Sequence, residues 1–145
     1  MTTTQQIFAW CQLGRLLKAH AKSLEWHTDI DFISEQQYIS FEKTIEKTFH
    51  RNGWFEQNEV RNALLEISDW LTETNLENWQ SNYKTVIQKN MTVAIIMAGN
   101  IPLVGFHDLI CVLFSGFKAK IKLSSEDDLL IPEVINYLTS IAPFY

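Results

Sequence analysis

At 145 residues, with 46% hydrophobic side chains and five tryptophans, the chain can bury the core of one modest globular domain and is too apolar for a disordered one. Seventeen acidic residues against twelve basic ones give a formal charge of -5, and no concentrated basic face offsets it, so no nucleic-acid partner is expected. The two cysteines, a hundred residues apart, do not suggest a secreted disulfide scaffold. The opening MTTTQQIFAWC lacks the basic-then-apolar order of a signal peptide, and the most apolar segment is interrupted by His107 and Asp108, so a soluble cytoplasmic protein with no membrane partner is expected.

In chain order, Ile7, Trp10, Cys11, Leu17, Ala21 and Leu24 recur at helical spacing and predict a packing helix from Gln5 to Leu24. Cys11 lies on that stripe as a small core residue, with no base placed beside it. A loop follows through Trp26, His27 and Asp29 to Asp31. Ser34 and Gln37 form a capping box, with Ile33 and Tyr38 as its hydrophobic staple, and start a helix through Tyr38, Phe41, Ile45 and Phe49 that Asn52 and Gly53 stop. Val60, Ala63, Leu64, Ile67, Trp70 and Leu71 give the next helix, Asn58 to Thr72, a broad apolar face. A shorter helix with Leu76, Trp79 and Tyr83 follows a turn at Asn75. Residues 82–90 read as a connection, where Lys84 and Lys89 are either phosphate-attracting or merely solvated.

The segment from Met91 to Leu130 carries the chemistry. Val93 to Met97 is the continuous apolar run of a strand buried on both faces, so Thr92 to Ala98 is predicted as a strand, Pro102 to Ser115 as a crossover helix, and Ala119 to Leu123 as a parallel second strand. The fold class is therefore α/β, with a helical region over 1–90 and an incomplete βαβ nucleotide-binding unit over 91–145. Ligands of such units sit beyond the carboxyl ends of the strands, where Gly99, Asn100, Lys122, Ser124 and Ser125 fall. Gly99 permits close approach, and Gly105 inside a helix implies tight packing or a nearby ligand. Asn100 either caps the following helix or offers an amide N–H to a developing oxyanion. Ser124 and Ser125 either cap or bind phosphate. His107 and Cys111, four apart, form either a thiolate-imidazole pair or a packed cysteine beside a hydrogen-bonded histidine. Glu126, Asp127 and Asp128 read as the acidic first turn of a last helix, which packs through Val134, Ile135, Leu138 and Ile141.

The strings MAGNIPLVGFHD and IKLSS, in this order and spacing, resemble the long-chain fatty acyl-CoA reductase family, the bacterial bioluminescence type with non-luminous relatives, within the aldehyde dehydrogenase superfamily. The resemblance implies NADPH-dependent reduction of acyl-CoA to fatty aldehyde through a cysteine thioester. It implies Asn100 as the oxyanion-binding residue, Lys122, Ser124, Ser125 and Gly99 at the cofactor, and no metal. Serine at 125, where many members of the superfamily place a ribose-binding glutamate, favours NADPH. Neither Cys11 nor Cys111 matches the family's nucleophile. The expectation is therefore an N-terminal fragment or truncated relative, inactive alone, whose partners are the remainder of the reductase or another subunit, with homo-oligomerisation also open. The alternative is a non-catalytic interaction or assembly module derived from the same fold, exposing strand edges for pairing. A small thiol enzyme built on Cys111 is a further possibility, requiring a depressed thiol pKa.

Overall fold

A computed structural model describes residues 2–83 and 91–145; Lys84 and Lys89 lie outside the described residues. Four helices precede a strand–helix–strand unit and a last helix: α1 (Thr3–Ala21), α2 (Glu35–Arg51), α3 (Gln57–Trp70), α4 (Glu73–Ser81), β1 (Thr92–Ile96), α5 (Phe106–Phe114), β2 (Lys118–Lys122) and α6 (Leu130–Ile141). The two strands pair in parallel, with Thr92 opposite Lys118 and Ile96 opposite Lys122. At a coarse level this is the α/β arrangement expected.

The starts of α1, α2 and α4 carry side-chain caps. Thr2 and Gln5 close a capping box on α1, and Ser34 and Gln37 close the expected one on α2, each serine or threonine oxygen accepting the backbone N–H three residues on. The staple pair Ile33 and Tyr38 is buried. Asn52, in an extended conformation, ends α2. Thr72 caps α4 by accepting from Asn75 N–H, so Asn75 lies inside that helix and is not the turn before it. Leu24, Phe49 and Trp70, expected on apolar faces, are half-exposed at 53%, 47% and 46%. Leu24 lies beyond α1, which ends at Ala21 because Ser23 is left-handed, and the stripes of α2 and α3 are wider than the surfaces that cover them.

One core runs across both regions of the chain. Trp10 of α1 is fully buried, meets Phe106 edge-on with ring centroids 6.1 Å apart, and donates its indole N–H to the Tyr145 hydroxyl at 2.9 Å. The helices of 1–90 and the unit from 91 onward thus share packing, with α6 lying against α1 and α2.

Three expectations about the βαβ unit need correction. The crossover helix begins at Phe106, not Pro102, because Leu103 adopts a left-handed backbone (φ 58°) that breaks helical continuity. Among the described residues the sheet is covered on one face only. Val93, Ile95, Ala119 and Ile121 share the face toward α5, while Thr92, Ala94, Ile96, Lys118, Lys120 and Lys122 are exposed, Ile96 at 77%. Residues 126–128 do not open α6: Ser124 and Asp127 close a tight turn before it, and α6 starts at Leu130 with Pro132 in its first turn, where a missing N–H costs nothing.

Candidate functional site

The carboxyl ends of β1 and β2 meet. The ladder ends with Met97 N–H donating to Lys122 C=O at 3.0 Å, and two residues later Gly99 is buried against Ser124. A Cβ at Gly99 would lie 2.3 Å from Ser124 Oγ and 3.1 Å from Glu126 Cβ, so only glycine lets the two chain segments close at this distance. The AGN and KLSS stretches, twenty-odd residues apart, are thereby brought to one place. Gly105 serves a similar end as the residue preceding α5. A Cβ there would overlap Met97 at 2.5 to 2.9 Å, so its tight packing against the strand is observed, but at the helix start and not in the helix interior.

The functional side chains sit unequally. Lys122 projects from the open face of the sheet and is exposed. Ser124 Oγ accepts Glu126 N–H at 3.2 Å, which organises the turn and leaves the hydroxyl proton free to donate; Ser125 is exposed at its tip. Asn100 is exposed in the loop after β1 and makes no side-chain hydrogen bond among the described residues. It does not cap α5, whose preceding residue is Gly105. Its amide N–H is available to a ligand but is not pre-oriented by protein.

Sequence reasoning missed Asp127, which holds the site together. It is 6% exposed, and its Oδ2 accepts the N–H of Leu103 at 2.7 Å, fixing the left-handed residue between β1 and α5. Its Oδ1 is buried with no partner among the described residues. Burial pushes the carboxyl pKa up to about 6, against the Leu103 hydrogen bond, which lowers it. The neighbouring Asp128 is gripped by both arms of Arg51 at 2.7 and 3.1 Å, and Glu126 is left exposed beside the strand ends. Only the acidic run itself signals this turn in the sequence.

His107 and Cys111 do come together, with Sγ 3.9 Å from both ring nitrogens, but the geometry does not activate the thiol. Burial pushes the Cys111 pKa up and Asp108 adds to the rise, whereas a reactive cysteine requires a fall. His107 and Asp108 approach to 3.8 Å as an exposed pair. His107 instead lines a mainly apolar cleft of about 300 Å³ with Trp70, Leu76, Trp79 and Ile110. Cys11 is partly buried against the helical core, and burial raises its pKa too.

A second titratable cluster joins four helices away from the strand ends. His20 of α1, fully buried, lies 2.6 Å from Glu42 Oε1 of α2 through Nδ1 and 2.7 Å from the Tyr137 hydroxyl of α6 through Nε2. Arg61 of α3 donates to Glu42 Oε2 at 2.9 Å and to His20 C=O. Burial lowers the His20 pKa and outweighs the opposing Glu42 carboxylate, so His20 is neutral, donating Nδ1–H to Glu42 and accepting the Tyr137 O–H. Burial raises the Glu42 pKa, but the hydrogen bonds from His20 and Arg61 overcome it and hold the carboxyl at about 2. His20 is enclosed, while Glu42 borders a cleft of about 390 Å³ beside Trp26 and Tyr38; the cluster ties α1, α2, α3 and α6 together as a structural clamp.

Among the described residues no group of acids, histidines or cysteines is arranged to hold a metal, and no helix is long and apolar enough to cross a membrane. Comparison of the chain with protein-family models, with curated proteins and with solved structures finds no match.

Proposed function

We propose that this chain carries the opening part of the cofactor site of an NADPH-dependent acyl-CoA reductase in the aldehyde dehydrogenase superfamily. In the parent reaction a cysteine thiolate would take the acyl group from acyl-CoA as a thioester, the bond to sulfur of coenzyme A breaking and coenzyme A leaving as its thiolate, and hydride transfer to the thioester carbonyl carbon would release the fatty aldehyde and the cysteine thiolate. The observation that carries the reading is the meeting of Gly99 and Ser124 at the carboxyl ends of a parallel pair, where the crevice of such sheets binds ligand.

The residues present suit a phosphorylated ribose. Lys122 supplies an exposed ammonium, and Ser124 and Ser125 supply hydroxyl donors. Arg51 neutralises Asp128 and Asp127 is turned inward, so Glu126 is the one carboxylate of that run left to oppose a phosphate. Asn100 would offer its amide N–H to the oxyanion once substrate and surrounding protein exclude water from the loop. NADPH, when bound, supplies the hydride. The remainder of the reductase or another subunit would supply the nucleophilic cysteine, since Cys11 and Cys111 have raised thiol pKa values and pack on helices. The purified chain alone is expected to leave acyl-CoA unreduced.

Saturation-transfer NMR of the chain with NADPH tests the cofactor site. Binding should be detectable at millimolar NADPH and weakened at least tenfold by Lys122→Glu. No transfer, or equal transfer to the variant, overturns the reading, as does thioester reduction by the chain alone. The uncovered sheet face, with Ile96 exposed to solvent, favours a second reading as an interaction or assembly module.

A further inference from the structure

The outer edge of β2 and the helices beneath it form a surface that reaches the strand ends only at Lys122. Lys118 N–H donates to Met91 C=O and Lys122 C=O accepts from Met97 N–H, so the backbone groups of Lys118, Lys120 and Lys122 turn inward to β1. Direction alternates along a strand, so the N–H and C=O groups of Ala119 and Ile121 turn outward, and no described residue bonds to them. Beside this edge runs a groove of about 480 Å³. Leu109 and Leu113 of α5, Ile135 and Leu138 of α6, and the exposed ring of Phe144 line it, and no β1 residue does. On the opposite face of the same strand stand Lys120 and Lys122, with Lys118, which also borders the groove, at its start, all exposed in a chain of net charge -5.

We infer that this edge binds an extended segment of a partner protein in which apolar and acidic residues alternate. A strand added here satisfies the outward groups of Ala119 and Ile121, drops every second side chain into the groove, and sets the intervening ones beside the three ammonium groups. A helix or an acyl chain would fill the groove and leave those backbone groups unpaired. A second copy pairing through the same edge would set lysines against lysines. Binding here rests on the second reading, an assembly module, since a complete doubly wound sheet would set its next strand on this edge; the surface shares only Lys122 with the strand ends.

The test uses the 145-residue chain and a seven-residue capped peptide alternating Glu and Val, with a Lys-for-Glu peptide as its counterpart. Amide exchange followed by NMR should slow at least tenfold at Ala119 and Ile121 when the Glu peptide saturates the chain. That peptide should bind at least tenfold more tightly than the Lys peptide. Lys118→Glu combined with Lys120→Glu should reverse the preference, and the reversed binding itself reports a folded chain. Ala119→Pro, which removes one outward N–H and leaves the β1 ladder intact, should weaken the Glu peptide at least tenfold. Equal binding of the two peptides, protection confined to other amides, a folded double variant without reversal, or protection of these amides by self-association without peptide would each overturn the inference.

Discussion

Replacing Asp127 by Asn removes a carboxylate from a place where ionising it is unfavourable while keeping an oxygen to accept Leu103 N–H. The folded pKa of about 6 lies above the ordinary 3.8. Between those values the native chain holds a proton that the unfolded chain has lost, so this group's contribution to stability falls as pH rises from about 4 through 6. The displacement, at about 1.36 kcal/mol for each power of ten in proton binding, amounts to about 3 kcal/mol at pH 7.5 as an upper figure. Asp127→Asn should therefore match the parent near pH 4 and exceed it by up to about 3 kcal/mol at pH 7.5. Asp127→Ala should be destabilised by about 1–3 kcal/mol relative to Asp127→Asn, because the buried Leu103 N–H loses its acceptor. Urea denaturation followed by circular dichroism at half-unit steps from pH 4 to 7.5 measures both differences. An Asn variant less stable than the parent at pH 7.5, or a difference that does not change with pH, would refute the reasoning.

Glu42→Gln should act with the opposite sign. The carboxyl is held at about 2 against an ordinary 4.5, so its stabilisation is present above 4.5 and lost as pH falls toward 2; the variant should lose about 3 kcal/mol at pH 7 and less at pH 3 in the same denaturation assay. The neutral His20 works alongside it: the unfolded chain takes up a proton below about 6.5 that the native chain resists, so stability should fall with acid there, and His20→Gln should flatten the slope. Gly105→Ala should cost about 1–3 kcal/mol by driving a methyl into the buried Met97 side chain, read as a lower melting temperature. Cys111 should react with iodoacetamide at pH 7.5 more slowly than free cysteine, and His107→Ala should not slow it further; rapid, histidine-dependent alkylation would revive the thiol enzyme.

What the sequence disclosed was short in range. The capping box at Ser34 and Gln37, the apolar run of Val93 to Met97, and the parallel pairing across one crossover each follow from a pattern within a few residues or from one topological rule. The same pattern put Gly99 and Ser124 at the strand ends; their contact is shown by the fold alone. Contacts set by tertiary packing were hidden. Asp127 reads as a helix-opening acid until Leu103, twenty-four residues earlier, is seen to need its carboxylate. Pro102 fits a first helical turn, yet the chain stays non-helical for four residues because Leu103 is held left-handed. An apolar strand reads as covered on both faces, but which face finds a partner depends on elements elsewhere, and Ile96 finds none among the described residues. Asn100 occupies the expected place, and the openness of its surroundings carries no local signal.

The bond between Trp10 and Tyr145 spans 135 residues and makes the first helix and the last residues one cooperative unit. If the segment carrying Tyr145 detaches, a fully buried indole N–H loses its acceptor and α1 loses an aromatic neighbour, so release of that segment is felt in α1. Slowly exchanging amides should accordingly follow α1 and α6 together as a single opening unit, with the cluster of His20, Glu42, Arg61 and Tyr137 as its second fastening. The short α4, with one buried residue, should open independently.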